Sequence, residues 1–586
     1  MEVVVVVVCC LLLAKKGAAE DAAAEGGGEG AQPQPHFILI VSDDLGWNDV
    51  PWNNKAVKAP HMEALAREGV ILEQSYVQPI CTPTRSALLT GRYPFTIGRQ
   101  HDVIRPSQPT GVNLSLTLLP EVMKDLGYST HAVGKWHLGF CSWDYTPTER
   151  GFDTFYGYYT GSEDYFTHKR SWTLRERNKD STTTTTRKEC NDLECDTPIV
   201  SGHKTITRSF LDLRNNETPD QHQEGTYSSG LFASRVEELL ARDPQVPLFL
   251  YLPFQSVHTP LQVPPEYIRQ YSYIKNQNRR TKLGMVSAMD DAIGRVVTAL
   301  KNTGHYNNSV IVFTTDNGGP TLEAGNNWPL RGNKTTLWEG GTRGAAFVHS
   351  PLLPNPGTSN PALIHVTDWF PTLVQMAGGV PPEGIHGVDQ WSAITEAGLS
   401  QRSLMVYNID NTTGFAAGVR MGMYKLLVGN PGPGEWTPPP EGIADHPIPD
   451  PDSIALTPDG DQVVNDRESN AIATEDEQQP DVVAEEEEES AEGNKMDYSE
   501  PHVFGEEVSR LLLEMSGRND TQLRLYNLNS DPLEQHNVAA TSTQVVKVMV
   551  TLLKSYMFEY SPADSPHNAQ DANPQNFDGV WSPGWC

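Results

Sequence analysis

The stretch His36-Phe37-Ile38-Leu39-Ile40-Val41-Ser42-Asp43-Asp44 decides the fold class. The run from His36 to Val41 is apolar and of strand length, and polar side chains follow it at once. A strand that is apolar on both sides is typical of a parallel sheet covered by helices on both faces. The first ordered element is therefore predicted to be a buried strand that ends at two aspartates.

Two further apolar runs repeat this arrangement. Residues 246–252 precede His258, and residues 309–315 are followed directly by Asp316 and Asn317. Helical patterns are found at residues 60–68, 114–126 and 284–300. The alternation of strands and helices predicts an α/β domain. Ligands of open parallel sheets gather at the carboxyl ends of strands, so these polar residues are candidates for one site.

The length of 586 residues indicates two domains. We expect the first at residues 36–400 and the second at 401–586. The second domain is predicted to contain strands at 419–428 and 523–528 and a closing helix at 545–558. An acidic segment at about 440–505 includes five consecutive glutamates and is expected to be disordered. It is either an expendable surface insertion or a regulatory or cation-binding segment.

The amino terminus carries an apolar run at residues 3–13 that is too short to span a bilayer. A signal peptide is predicted at residues 1–20, with an uncleaved anchor as the alternative because the charges flanking the run are unusual. Residues 21–35 are predicted to be a disordered leader. No later stretch has a transmembrane pattern, so stable membrane insertion is not expected. The formal net charge of -30 argues against nucleic acid as a partner.

The number of cysteines indicates that one of them is not part of a disulfide. Seven are present, and two would leave with the signal peptide. The remaining five are Cys81, Cys141, Cys190, Cys195 and Cys586. An odd number in a secreted chain indicates one of different chemistry. With Cys81 set aside, Cys190 and Cys195 could close a local loop and leave Cys141 with Cys586, but sequence alone does not fix the connectivity.

The polar residues at the strand ends form an oxygen-rich set. Asp43, Asp44, Asp316 and Asn317 offer three carboxylates and an amide oxygen. Hard divalent cations, Ca²⁺ above all, take such ligands, and a cation would relieve the repulsion among the carboxylates. The alternative is ordinary, because acidic pairs are common at strand ends and in turns.

Basic residues and histidines complete the candidate site. Lys135 and His137 alternate along an extended segment between glycines, so both can face one side. Together with Arg85 and Lys334, Lys135 would give three cations for an anionic substrate. His258 is a candidate general acid, although a loop histidine bonded to backbone is the alternative.

The segment Cys81-Thr82-Pro83-Thr84-Arg85, together with the segments above in their order, resembles the sulfatase family. Within it the chain most resembles the arylsulfatase B branch, which acts on N-acetylgalactosamine 4-sulfate in chondroitin and dermatan sulfates. The closer resemblance is carried by residues 133–139, 150–154, 161–165 and 579–581. That branch has further disulfide cysteines that this chain lacks, and Pro433 stands in place of one of them, so the resemblance does not fix the exact disulfide pattern. The acidic segment has no counterpart in that branch.

The resemblance implies an alkaline-phosphatase-like sandwich, with a large mixed, mainly parallel sheet covered by helices and a smaller C-terminal domain with an antiparallel sheet. It implies that a formylglycine-generating enzyme oxidises Cys81 to formylglycine. One Ca²⁺ per chain would be held by Asp43, Asp44, Asp316, Asn317 and the modified residue 81. The substrate would be a sulfated sugar or an aryl sulfate, in the lysosome or outside the cell. The oligomeric state stays open.

The resemblance also implies the catalytic roles. Asp316 would accept a proton from the hydrated aldehyde at position 81, and the resulting alkoxide would attack sulfur. His258, beside Lys334, would protonate the leaving sugar oxygen. Arg85 and Lys135 would steady the diol and the charges of the metal site. His137 would then take the proton that allows the hemiacetal to collapse and expel sulfate.

Two other functions are compatible with the same architecture. A phosphatase or phosphodiesterase would typically have serine or threonine in place of Cys81 and more histidine and aspartate ligands for zinc. A catalytically silent glycan-binding relative should have lost some of the residues named above, and all of them are present.

Overall fold

A ten-stranded mixed sheet forms the body of the protein in a computed structural model that describes residues 33–177, 203–241, 245–396, 398, 400–439, 506–518 and 521–586. Pro35–Cys586 is one compact unit. The predicted signal peptide, the leader up to residue 32, the acidic segment, Cys190 and Cys195 lie outside the described residues. The strands are β1 (His36–Ser42), β2 (Val70–Tyr76), β3 (Ser129–Lys135), β4 (Thr154–Tyr158), β5 (Lys169–Arg177), β6 (His203–Leu211), β7 (Arg214–Asn215), β8 (Thr218–Pro219), β9 (Leu248–Pro253), β10 (Ser309–Thr315), β11 (Ala346–His349), β12 (Thr358–His365), β13 (Leu404–Asp410), β14 (Ala416–Met421), β15 (Tyr424–Gly429) and β16 (Leu523–Asn527).

The large sheet has the order β12-β2-β11-β10-β1-β9-β3-β4-β7-β8. Its five central strands, from β10 to β4, pair in parallel, and antiparallel pairs occur towards the edges. The register pairs Ser42 of β1 with Thr315 of β10. Because the two strands end at the same level, the residues that follow them lie side by side. The prediction of a mainly parallel sheet is confirmed.

Helices cover both faces of this sheet. The helices are α1 (Pro60–Arg67), α2 (Cys81–Thr90), α3 (Leu119–Asp125), α4 (Ser228–Leu240), α5 (Pro265–Arg269), α6 (Gln277–Thr303), α7 (Glu339–Thr342), α8 (Trp369–Met376), α9 (Trp391–Thr395), α10 (Glu506–Ser516) and α11 (Thr543–Tyr556). Ile38 and Ile40 of β1 pack with α1, α4 and α6, whereas Phe37 and Leu39 pack with α2, α3 and α8. This alternation explains why β1 is apolar at nearly every position.

A four-stranded antiparallel sheet, in the order β13-β14-β15-β16, forms a second layer with its own core. Helices α10 and α11 bury Leu512 and Val550 against it. The prediction of one strand over 419–428 is wrong, because β14 and β15 form a hairpin. Gly422 turns the chain at φ 56°, in the left-handed region that favours glycine. Two short apolar strands separated by so tight a turn give the pattern of one longer strand.

The predicted element boundaries differ in two helices. Helix α6 begins well before residue 284, since the Asn276 side chain caps it by accepting from the Arg279 N–H at 3.0 Å. Helix α3 begins only at Leu119, later than the predicted residue 114. Cys141 and Cys586 form a disulfide with a Cα–Cα distance of 5.4 Å, which confirms that predicted pair. Within the described residues, no helix combines the length and the apolar character needed to cross a bilayer.

Candidate active site

Four oxygen-bearing side chains meet where β1 and β10 end. Asp43 and Asp44 follow β1, Asp316 and Asn317 follow β10, and all four are fully buried. The Asp44 N–H donates to Oδ1 of Asp316 at 3.2 Å, and Nδ2 of Asn317 donates to Oδ1 of Asp44 at 2.7 Å. Asp44 has φ 60°, a left-handed conformation that aspartate tolerates better than most residues. The parallel register thus assembles the predicted oxygen-rich set.

Cys81 is the first residue of α2 and lies against this set. Its Sγ is 3.6 Å from Oδ1 of Asp43, and among the described cysteines it is the free one. Burial raises the pKa of the thiol, and the charges of Asp316 and Asp43 raise it further. The thiolate is therefore disfavoured here, and a thiol at this position is a poor nucleophile as it stands.

The donor set fits a hard divalent cation. Single ligand atoms of Asp43, Asp44, Cys81 and Asp316 all lie within 4.8 Å of one another. Oδ1 of Asn317 is buried, and no described residue donates a hydrogen bond to it. Burial raises the pKa of Asp316, and the charge of Asp43 raises it further, to about 6. Oxygen ligands of this kind suit Ca²⁺.

Each of the three carboxylates also has its own basic partner. Lys135 Nζ lies 2.5 Å from Oδ2 of Asp43. Arg85 Nη2 lies 2.8 Å from Oδ2 of Asp316, and Lys334 Nζ lies 2.8 Å from Oδ2 of Asp44. Although burial raises the pKa of Asp44, the charges of Lys334 and Lys282 oppose it, and that pKa lies well below its usual range. The site therefore holds its negative charges without exposing them to water.

The two histidines face the site as neutral rings with different contacts. His258 Nδ1 lies 2.7 Å from the Thr259 carbonyl oxygen, and its Nε2 lies 3.7 Å from Oδ2 of Asp44. A neutral ring that donates from Nδ1 keeps a lone pair on Nε2. Burial lowers the pKa of His258, and the charge of Lys334 lowers it further, to about 3. The protonated form therefore requires a negative charge bound nearby.

His137 contacts the backbone through its other ring nitrogen. Its Nε2 lies 3.1 Å from the Ile104 carbonyl oxygen, and no described residue hydrogen-bonds to its buried Nδ1. Burial lowers the pKa of His137, as do the charges of Lys135 and Arg85. Gly161 makes room for the ring, since a Cβ there would lie 2.7 Å from Cε1 of His137. A neutral imidazole with a free Nδ1 can accept a proton.

The structure brings all ten residues of the predicted site together around the ends of β1, β3, β9 and β10. His258 and Lys334 are the partly exposed members, with 18% and 15% of their side-chain surface accessible, so they mark the opening. Lys282 of α6 was missed. It is buried, and its charge acts on Asp44. A lysine within an amphipathic helical stretch could have indicated this residue. The helix predicted from the sequence began at residue 284, however, two residues after Lys282.

Comparisons with known proteins indicate the same family as the sequence motifs. The family model described as Sulfatase matches residues 35–380, more than half of the chain. Arylsulfatase J of Mus musculus is 44% identical over 427 residues, which span 69% of this chain and 66% of that protein, just under two thirds of its length. N-acetylgalactosamine-6-sulfatase of Mus musculus is 27% identical over 416 residues, which span 68% of this chain and 72% of that protein.

A solved structure agrees on the architecture. The crystal structure of Ps i-CgsB in complex with k-i-k-neocarrahexaose superposes with a TM-score of 0.64 at 24% identity, covering 93% of this chain and 97% of that one. A likeness at this identity shows the fold, and it agrees with the predicted alkaline-phosphatase-like sandwich. The strand-end carboxylates, the buried Cys81 and the match of the family model lead to one conclusion: the chain belongs to the sulfatase family.

Proposed function

We propose that the protein hydrolyses sulfate esters of sulfated sugars at the site around Cys81. The observation that carries the proposal is the buried arrangement of Asp43, Asp44 and Asp316, each with one basic partner, around that cysteine. Such a site can bind a divalent cation and the anionic sulfate group together. Asp43, Asp44, Asp316 and Asn317 would hold Ca²⁺, which when bound offsets their charge and polarises a sulfate oxygen.

Cys81 is proposed as the substrate of a formylglycine-generating enzyme. Formylglycine at this position supplies a hydrated aldehyde, and one oxygen of the hydrate serves as the nucleophile. The aldehyde re-forms when sulfate is expelled. The position of Cys81 supports this proposal, because it lies buried beside Asp43 and is the free cysteine among the described ones. Arg85 pairs with Asp316, and burial raises the pKa of that carboxyl to about 6, which suits a group that accepts a proton beside position 81. Lys135 pairs with Asp43 on the other side of the site.

The residues at the opening bind the ester and protonate its leaving oxygen. Lys334 attracts the sulfate group, and the negative charge of that group favours the protonated ring of His258. His258 Nε2 can then deliver a proton to the leaving oxygen. On the inner side, Nδ1 of His137 is free to take up a proton when sulfate departs. The two histidines therefore divide the acid and base roles.

The proposed natural substrate is N-acetylgalactosamine 4-sulfate in chondroitin or dermatan sulfate, as in the arylsulfatase B branch. The similarity to N-acetylgalactosamine-6-sulfatase supports a sulfated-sugar substrate without choosing the sulfated carbon, and the similarity to Arylsulfatase J supports a sulfatase activity. We place the protein in the secretory pathway, in the lysosome or outside the cell. The disulfide between Cys141 and Cys586 supports an oxidising compartment.

Release of inorganic sulfate tests the proposal. The protein is made in cells that contain a formylglycine-generating enzyme and is assayed with chondroitin 4-sulfate, chondroitin 6-sulfate and heparan sulfate oligosaccharides over acidic to mildly alkaline pH. Paired aryl sulfate and aryl phosphate esters are assayed beside them. Preference for chondroitin 4-sulfate and for aryl sulfate is expected. Preference for the phosphate ester contradicts the proposed reaction, and cleavage of another sulfated sugar contradicts the proposed substrate alone.

A further inference from the structure

Lys282 is a buried cation that the proposed mechanism leaves unused. It lies in α6 with 0% of its surface exposed. No described residue accepts a hydrogen bond from its Nζ. Lysine is almost never fully buried unless its ammonium is paired, because removing that charge from water is costly. Burial accordingly lowers the pKa of Lys282, whereas the nearby carboxylates favour its charged form.

The carboxylates around Lys282 already have other partners. Its charge interacts with the carboxylates of Asp44, Asp49 and Glu323. Asp44 accepts hydrogen bonds from Lys334 and Asn317, and Asp49 pairs with Arg279, one turn before Lys282 on α6. Lys282 thus interacts with three carboxylates without a direct hydrogen bond to any of them.

The balance of charge in the site follows from this arrangement. Three carboxylates, those of Asp43, Asp44 and Asp316, are matched by three directly paired cations. Lys282 adds a fourth cation whose charge reaches Asp44. A fixed positive charge in a buried region repels a second cation and attracts an anion, and screening by salt is weak there.

We propose that Lys282 is a positioning residue that acts through Asp44, weakening the binding of Ca²⁺ and strengthening the binding of the sulfate group at the same site. This inference rests on the proposed function. Electrostatics requires opposite effects on the two ligands, because one carries positive charge and the other negative. A residue that only fills space would change both affinities in the same direction or leave both unchanged.

Lys282→Met tests the inference, because methionine keeps most of the side-chain volume and removes the charge. Lys301→Met is the matched control, since it makes the same substitution on an exposed side chain of α6, about 28 Å farther along the helix. Lys282→Arg keeps the charge. Ca²⁺ affinity is measured by competition with a chromophoric chelator on protein whose Cys81 is unmodified, so this readout is independent of turnover. KM and kcat for an aryl sulfate are measured on the modified enzyme.

Lys282→Met is expected to bind Ca²⁺ about tenfold more tightly and to raise KM by a similar factor, the size of effect that one partly screened charge produces in a buried site. Its kcat should change less than its KM. Lys301→Met should have the Ca²⁺ affinity and the KM of the wild type. Lys282→Arg should have nearly the same values, because it keeps the charge.

Two results would overturn the inference alone. One is weaker binding of both Ca²⁺ and the ester in Lys282→Met, which indicates a structural role. The other is a Lys282→Met variant whose affinities for Ca²⁺ and for the ester both equal those of the wild type. A wild-type protein that binds no Ca²⁺ and releases no sulfate after modification of Cys81 overturns the proposed function, and the inference with it.

Discussion

Nζ of Lys135 lies 2.5 Å from Oδ2 of Asp43, and both side chains are fully buried. The strands β3 and β1 that carry them are separated in the sheet by β9. The pair therefore links two strand ends across the floor of the site. Because Asp43 also contacts Cys81, the position of Lys135 affects the group that carries the chemistry.

Lys135→Met should leave a buried carboxylate without its partner. Removing one member of a buried ion pair costs about 3–5 kcal/mol, so the free energy of unfolding in urea should fall by that amount. The kcat/KM for sulfate release should fall by a factor of about 100 or more, as when a preorganised charge is removed from an active site. Lys124→Met is the control, since Lys124 pairs with Asp153 at the surface and its loss should cost less than about 1 kcal/mol. Equal losses in the two variants would contradict the role given to Lys135.

Cys81→Ser should fold normally and release no sulfate under multiple turnover. Serine is close in size to cysteine and fills the same buried position, but it cannot become an aldehyde by the same oxidation. Its stability should stay within about 1 kcal/mol of the wild type, as for a near-isosteric buried substitution. Mass spectrometry of the peptide that contains position 81 should show aldehyde in active wild-type protein. Active protein that carries only free thiol at this position would refute the proposed modification.

Much of this site could be predicted because its signals are local in the sequence. Apolar strands ending in acidic residues indicate where ligands gather, and Ser309–Thr315 was placed at its observed bounds. Lys282 could not be predicted in the same way. Its importance comes from burial beside Asp44, and that proximity depends on how α6 packs against the end of β1. The β14–β15 hairpin was missed for a related reason, since its tight turn at Gly422 interrupts the apolar pattern only briefly.

The pair of His101 and Asp410 should make stability depend on pH. Nδ1 of His101 lies 2.6 Å from Oδ2 of Asp410, and this hydrogen bond raises the pKa of His101 against the effect of burial. Asp102 raises that pKa further, and Arg105 lowers it. A raised pKa in the folded state means that the stabilisation is fully present below the unfolded value of about 6.5 and is lost as pH rises through the folded value.

His101→Gln should therefore be less stable than the wild type in acid and should approach it in mildly alkaline solution. The difference in Tm between the two proteins, followed across pH, measures the effect. Asp410→Asn is the companion variant and should show the same trend, because it removes the other member of the pair. A Tm difference that does not vary with pH would show that the pair does not titrate in the folded protein.

Lys425 of β15 links the second sheet to the start of α7, which follows the loop that contains Lys334. Its Nζ lies 2.9 Å from Oε1 of Glu339 and 2.9 Å from Oε1 of Glu534, and all three side chains are buried. Burial opposes ionisation of Glu339, but the charges of Lys425 and of nearby arginines outweigh it and lower its pKa. Burial, with the charge of Glu339, raises the pKa of Glu534 to about 7.

Lys425→Met should remove the one cation that contacts both carboxylates. At neutral pH the free energy of unfolding should fall by about 3–5 kcal/mol, since two buried acids would face each other without it. Their folded-state pKa values would then lie above the unfolded ones, so the variant should regain part of its stability as pH falls and protons bind. Urea unfolding at neutral and acidic pH measures this recovery. Adding Glu534→Gln to the variant should restore stability at neutral pH by removing one charge, whereas a double variant no more stable than Lys425→Met would show that repulsion between the glutamates is not the cause.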